Sequence, residues 1–264
     1  MIESRVKKDF YIWEGVYKTF EDALKDTTGS GFSGNTYQER SLAAANECLV
    51  ALDSNEPIPN FHKQRSNFLP VVVAMAMGNK IDSDSTLTIL DFGGGLGIGY
   101  MVLKESMSNN IKSVDYAIIE VPEVCSVGKT LFKKNEIKYQ DSILPFQEFD
   151  IIYASSVIQY IEDWQALLIK FSDLKPQFIL LSDVFAGTIE SFVSLQNYYG
   201  SRIPHWFLNL DDLVNCFSDV GYQLIMKSYA TSRRLDHEDI IPMSNFPKRN
   251  QLKMTLHLLF KRDT

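Results

Sequence analysis

The amino-acid sequence predicts an α/β fold built on a mostly parallel, doubly wound sheet, and three observations predict it. An apolar, β-branched run, Leu87-Thr88-Ile89-Leu90, closes on Asp91-Phe92 and breaks into Gly93-Gly94-Gly95-Leu96-Gly97-Ile98-Gly99, the pattern of a buried strand, a tight turn and a helix start. Downstream, strand-like runs alternate with segments of helical length, which implies right-handed crossovers. The last two runs follow one another without an obvious helix, which predicts an antiparallel closing hairpin with a long irregular tip from Ala230 to Gln251.

Taken in order, the first third reads as helices. Trp13, Val16, Tyr17, Phe20, Ala23 and Leu24 recur at close to helical spacing up to Lys25, and Gly29-Ser30-Gly31 then breaks the pattern. Thr36 with Glu39 three residues on has the form of a capping box, opening a helix that continues through Leu42 to Leu52 until Pro57 and Pro59 end it. Phe68 to Met77 predicts a further buried helix. Residues 1–84 are thus expected to be an N-terminal helical cap that packs on the sheet or covers a ligand pocket, and residues 85–264 to be the sheet domain. The expected strands are Thr88 to Phe92, Tyr116 to Val121, a short one at Lys138 to Tyr139, Phe149 to Tyr153, Phe178 to Asp183, Tyr222 to Tyr229 and Leu252 to Phe260.

Composition narrows the class. With 264 residues, 45% of them hydrophobic and 22% charged, the chain is of ordinary globular type. A formal charge of -7 and a pI near 5.2 argue against a bulk nucleic-acid binder, because phosphate contacts need a surplus of Lys and Arg. Cys48, Cys125 and Cys216 are odd in number and in no C-x-x-C arrangement, so neither a disulfide framework nor a zinc site is indicated and reduced thiols fit. Charges interrupt Met1 to Phe10, and the longest apolar stretch, Phe68 to Met77, contains Pro70 and is too short for a membrane span. A cytoplasmic protein is expected. His62, His205, His237 and His257 are the only histidines, with no pair at metal-ligand spacing, and no metal is expected.

The glycine loop carries the chemistry. Glycines let the backbone take positive φ and approach a ligand that any Cβ would block, and the helix start offers unpaired N–H groups. The dinucleotide pattern G-x-G-x-x-G fails, since its sixth place falls on Ile98 or Tyr100. Acid-x-G-x-G-x-G fits as Asp91-Phe92-Gly93-Gly94-Gly95-Leu96-Gly97. This resembles the first motif of class I S-adenosylmethionine-dependent methyltransferases, a resemblance that covers roughly Thr86 to the C-terminus and implies a Rossmann-like, seven-stranded sheet with the final strand inserted antiparallel. It implies S-adenosyl-L-methionine as cofactor, with Asp91 facing the methionine amino group over Gly93, Gly94, Gly95 and Gly97.

The carboxyl ends of the strands should carry the remaining site. Glu120 closes the second strand, and one carboxylate accepts from two ribose hydroxyls at once; a solvated surface acid and the neighbouring Glu123 are the competing readings. Val121 and Pro122 would then lie against adenine. In the methyltransferase family an acid after the third strand commonly accepts from the adenine amino group, which places Asp141 and Ser142 there, against a plain turn. Phe149-Asp150-Ile151-Ile152-Tyr153-Ala154-Ser155 resembles the family's fourth motif, with room at Ala154 and Ser155 for the sulfonium. Trp13-Glu14-Gly15-Val16-Tyr17, the glycine loop and Ser155-Ser156-Val157-Ile158-Gln159-Tyr160 together look like a group of uncharacterised bacterial methyltransferases often associated with surface-polysaccharide gene clusters, which points to glycans or their activated precursors.

Methyl transfer to a hydroxyl needs alignment and a base. His205, in the aromatic segment Tyr198-Tyr199-Gly200-Ser201-Arg202-Ile203-Pro204-His205-Trp206-Phe207, is expected on a substrate loop as that base, with a structural histidine beside Trp206 as the alternative. Asp183 is a second base or a sugar ligand, unless it caps a helix. Gln159 and Tyr160 face the acceptor, unless Tyr160 is core. Arg202, Arg233 and Arg234 are candidates for an acidic group on the acceptor, against solvated charges. Tyr37 and Arg40 are candidates to cover the cofactor's carboxylate end. His257 reads as structural, and His62 and His237 as loop residues. The competing functions are a nicotinamide-dependent oxidoreductase, whose glycine register does not fit, and a non-catalytic cofactor-binding scaffold.

Overall fold

The computed structural model describes residues 10–79, 86–107, 114–132, 136–143, 147–230 and 240–263. The chain runs β1 (Trp13–Tyr17), α1 (Phe20–Leu24), α2 (Asn35–Asp53), α3 (Asn60–Lys63), α4 (Leu69–Gly78), β2 (Leu87–Phe92), α5 (Ile98–Ser106), β3 (Val114–Ile119), α6 (Pro122–Leu131), β4 (Lys138–Gln140), β5 (Ile151–Ser155), α7 (Trp164–Asp173), β6 (Phe178–Val184), β7 (Ala186–Gly187), β8 (Phe192–Tyr198), β9 (Ser201–Asn209), α8 (Leu210–Ser218), β10 (Tyr222–Ala230) and β11 (Thr255–Arg262).

The main sheet has the order β10-β11-β6-β5-β2-β3-β4. β2 pairs in parallel with β3 and β5, β5 with β6, and β3 with β4, whereas β11 lies antiparallel between β6 and β10. The chain steps outward from β2 to β4 and returns to β5 on β2's other side, so the strand order switches at β2 and β5, where a crevice opens at the carboxyl ends. One face packs α4 and α5 through Leu69, Val72, Val73, Tyr100 and Leu103 against Ile89, Tyr116 and Tyr153. The other packs α7 and α8 through Leu168, Phe171, Leu213 and Phe217 against Leu90, Ile152, Leu181 and Phe260. Burial on both faces is why the strands read as apolar runs.

Three local expectations are corrected. The segment expected as a helix from Trp13 to Lys25 is β1 followed by the short α1. β1 pairs antiparallel with β8 and buries Trp13, with Gly15 at φ +84°, a conformation that ends helical propagation. The Thr36–Glu39 capping box is not formed, because α2 already begins at Asn35, with Gly34 as N-cap and no side-chain cap. The expected substrate loop around residue 205 is the hairpin β8–β9, turned on Tyr199 (φ +44°) and Gly200 (φ +84°). Positive φ at both central residues gives the turn type whose twist matches paired strands. Arg202 exchanges its backbone bonds with Thr28 on the outer edge, so Pro204, two residues on, turns its missing N–H to that edge rather than to β8.

β1, β8, β9 and β7 form a second, four-stranded sheet. Trp13, Phe185, Phe192, Phe207 and Phe246 make its core. α2 packs separately on α5 through Ala45 and Cys48 against Leu96, Met101 and Val102. The tip expected from Ala230 to Gln251 falls partly outside the described residues, and Arg233, Arg234 and His237 lie there; Ile241, Met243 and Phe246 join the core of the second sheet.

Candidate active site

β2 ends in the loop that the sequence singles out. Gly93, Gly95 and Gly97 take φ of +69°, +56° and +80°. A Cβ on Gly93 would lie 2.5 Å from Val157 Cγ2, and one on Gly94 2.4 Å from Asp91 Oδ2. Gly97 is the N-cap of α5, and a Cβ there would lie 3.0 Å from Ile137 and Phe132. Gly95 has open space where its Cβ would stand. That open side faces a cavity of about 560 Å³.

The cavity brings together Asp91, Gly93, Gly94, Gly95 and Ser155 from the sheet edge with residues from outside it. Tyr37, Arg40, Ser41 and Ala44 line it from α2; the spacing i, i+3, i+4, i+7 is one helical face. Phe61, His62, Arg65 and Ser66 enter from α3 and the turn after it, and Tyr198 and Tyr199 from the hairpin tip. Phe32 packs edge-on against Tyr37 and Tyr160 at 5.2 and 4.8 Å, and the Arg40 guanidinium stands 4.5 Å above the Tyr199 ring.

Asp91 is the charged floor. It is 1% exposed, its Oδ2 accepts from Tyr116 Oη at 2.7 Å, and its Oδ1 is buried without a partner. Burial raises its pKa to about 7, the Tyr116 bond working against that rise and the charge of Glu120 with it. A buried carboxylate oxygen left unsatisfied is costly. A cationic amine from the cavity would repair it, so the site fits an amino-acid head group.

Glu120, one residue past β3, ties the loop to the neighbouring strand: Oε1 accepts from Gly95 N–H and Oε2 from Val121 N–H, each at 3.0 Å. Burial raises its pKa against the lowering effect of both bonds. Val121 is exposed beside it. Asp141 and Ser142 stand elsewhere, with Phe92 and Ile119 in a second cavity of about 760 Å³ on the α7 face, where Ser142 Oγ donates to Asp141 Oδ1 at 3.2 Å. The glycine loop thus lines the first cavity, while Phe92 and Ile119, the last residues of β2 and β3, line the second.

The acceptor-side candidates separate. Tyr160 donates its hydroxyl to Gln196 Oε1 at 2.7 Å. Gln159 is fully buried, its Nε2 donating to Ser156 Oγ at 3.1 Å. His205 is fully buried on β9, ringed by Phe185, Phe207, Tyr160 and Trp13 at 4.4 to 5.5 Å between ring centroids, and is not on the cavity wall. Arg202 is tied to the Thr28 backbone, also off the wall. Asp183 is fully buried, accepting from Thr255 Oγ1 at 2.6 Å and paired with Arg65 Nε at 3.0 Å. The cavity's own imidazole is His62, 3.1 Å from Glu47 Oε2. Sequence reasoning passed over Arg65 altogether: nothing in its spacing singles it out, since its partner Asp183 arrives from a distant strand. Among the described residues no group of histidine, cysteine and carboxylate side chains could hold a metal ion, and no helix is long and apolar enough to cross a membrane.

Comparison with known proteins places this geometry. Residues 61–227, more than half of the chain, match the family model described as a methyltransferase domain. Among solved structures, a S-adenosylmethionine-dependent methyltransferase from Clostridium acetobutylicum matches with a TM-score of 0.50 at 12% identity, over 87% of this chain and 100% of that one. A chain from the complex between the Haloferax volcanii Trm112 methyltransferase activator and a methyltransferase matches with a TM-score of 0.50 at 14% identity, over 84% and 95%. LepI, solved in complex with SAM, matches with a TM-score of 0.48 at 11% identity over 72% of this chain, which spans only 46% of the LepI chain. At these identities the first two likenesses speak for the fold alone. No curated protein sequence matches significantly. The family match runs over the glycine loop, the switch point and the strands beyond it, and by it the chain belongs to the methyltransferase-domain family.

Proposed function

We propose that the enzyme methylates a hydroxyl of a small polar acceptor, a sugar or activated sugar precursor of surface-glycan biosynthesis, in the cytoplasm. The observation that carries this reading is the tyrosine-walled cavity that opens directly over the glycine loop. Its volume is that of a small-molecule site, and Tyr37, Tyr198 and Tyr199 on its wall are side chains that combine an apolar ring with a hydrogen-bonding hydroxyl. The resemblance to methyltransferases from polysaccharide gene clusters points the same way.

In this reading Asp91 holds the cofactor's ammonium group, Gly93 to Gly95 admit its backbone, Glu120 holds the ribose, Asp141 and Ser142 receive adenine, and Ser155 leaves room at the reacting end. The bound cofactor supplies an electrophilic methyl group on sulfonium. The chain's own work is then to aim the acceptor oxygen, to exclude water with α2 and the hairpin tip, and to remove one proton. For that proton we assign His62 rather than His205: of the histidines, His205 and His257 are buried, His237 lies outside the described residues, and His62 lines the cavity with Glu47 to orient its ring.

The test is incubation with S-adenosylmethionine and a panel of monosaccharides and nucleotide sugars, read by mass spectrometry. A product heavier by one methyl group, formed with equimolar S-adenosylhomocysteine, is expected. Binding of S-adenosylhomocysteine with no product from any acceptor would favour the scaffold, and clean binding of a nicotinamide dinucleotide instead would favour the oxidoreductase.

A further inference from the structure

We propose that Arg65, aimed by Asp183 and Thr255, is an anion subsite that holds an acidic group, a carboxylate or phosphate, of the methyl acceptor. This rests on the reading of the cavity as the methyl-transfer site. Asp183 has no solvent exposure, while 43% of the Arg65 side chain remains exposed and lines the cavity. The Asp183 Oδ2 contact at 3.0 Å takes the Nε side of the guanidinium, and the other carboxylate oxygen is fixed by Thr255 Oγ1 at 2.6 Å. Among the described residues Arg65 has no other ion pair, and its fork keeps Nη donors in a plane that matches a carboxylate or phosphate.

Three elements converge on this arrangement. Asp183 sits at the exit of β6 with φ +52°, a conformation uncommon for a non-glycine residue and one found where a site demands it. Thr255 begins β11, the strand inserted beside β6. Arg65 follows α3. Its electrostatic neighbours beyond Asp183 include the phenols of Tyr160, after β5, and Tyr198, at the hairpin tip, and Tyr198 lines the cavity. In the proposed reading the amino-acid end of the cofactor is given to Asp91, with Tyr37 and Arg40 of α2 on the wall of the same cavity. An acidic acceptor held there would also lie in the field of a sulfonium cation. Asp183 is accordingly a positioning residue, not a base.

The experiment is calorimetry on the full chain saturated with S-adenosylhomocysteine, titrated with inorganic phosphate, D-glucuronate and, as uncharged control, glucose. At least one anion should bind about tenfold or more tightly than glucose. The double variant Arg65→Gln with Asp183→Asn removes both charges so that neither is stranded; it should lose that preference and keep its S-adenosylhomocysteine affinity within about twofold. Should it not fold, Arg65→Lys keeps the charge beside Asp183 without the planar fork, and should lose part of the preference with cofactor affinity intact. The proposal is overturned if no anion binds better than glucose, or if the preference survives in the variant that folds. It is equally overturned if that variant loses S-adenosylhomocysteine about tenfold, which would give Arg65 to the cofactor's own carboxylate. Wild-type protein that does not bind S-adenosylhomocysteine at all would instead sink the functional reading beneath it.

Discussion

Asp91 is a buried carboxyl on the cavity wall, and in the proposed reading, where it holds the cofactor's ammonium group, its protonation makes binding pH-dependent. Its folded pKa, raised by burial to about 7, lies above the ordinary carboxylate value of 3.8, so the folded chain holds a proton there that the unfolded chain has lost. The contribution to stability is present below about pH 4 and is lost as pH rises through 7. Cofactor affinity runs the other way, because an ammonium group needs the ionised form. S-adenosylhomocysteine binding should weaken as pH falls below about 7 and release a proton near neutrality, measurable by calorimetry in buffers of different ionisation enthalpy. Gly94 and Gly95 give a paired test. Gly94→Ala forces a methyl onto the Asp91 carboxylate at 2.4 Å and should abolish binding. Gly95→Ala meets no protein atom within 4 Å and should cost stability about 1–2 kcal/mol through its positive φ, while its methyl enters the cavity where the proposed cofactor backbone lies and should weaken S-adenosylhomocysteine binding without unfolding the loop. His62→Ala should lower kcat by roughly 10²-fold or more while leaving S-adenosylhomocysteine affinity unchanged, a split visible in steady-state and binding assays.

Among the elements, the hairpin β8–β9 is the one most obscured in sequence. Phe192–Tyr198 and Ser201–Asn209 are separated by Tyr199-Gly200 alone, a two-residue turn flanked by alternating residues that is a legible hairpin signal. Pro204 and the density of aromatic residues masked it, since an interior proline argues against a strand unless its nitrogen faces an edge. β1 was obscured differently: five residues carry too little periodicity to separate strand from helix, and the partner that decides it, β8, is distant in sequence. The hairpin tip presents Tyr198 and Tyr199 to the cavity. Gly200→Val, at φ +84°, should cost about 1–2 kcal/mol and lower Tm by roughly 2–4 °C for each kcal/mol. Acceptor KM should rise more than S-adenosylhomocysteine affinity falls, as the turn carries Tyr198 and Tyr199 on the cavity wall and makes no contact in the glycine loop's own hydrogen bonds.

At the scale of the whole molecule, the segment before residue 85 is woven into both sheets. β1 pairs with β8, α4 closes one face of the main sheet, and α2 roofs the cavity. A truncated chain beginning at residue 85 should therefore lose cooperative unfolding and bind a hydrophobic dye, because Ile89, Tyr116 and Tyr153 would lose the cover of α4; a sharp, native-like thermal transition would argue for an independent cap. The parallel strands, the glycine loop with its acid, and Glu120 were legible in sequence, since each is a local pattern: an apolar run, a backbone that tolerates positive φ, an acid at a strand's end. What the chain's own order of residues determined was thus the class of sheet and the glycine turn that follows its first parallel strand. Only the tertiary structure decided which side chains share the cavity over the glycine loop. It brought Arg65 to Asp183 and Tyr198 to Tyr37, and withdrew His205 into an aromatic core, because those contacts depend on strand register and helix docking between segments far apart, which no spacing along the chain encodes.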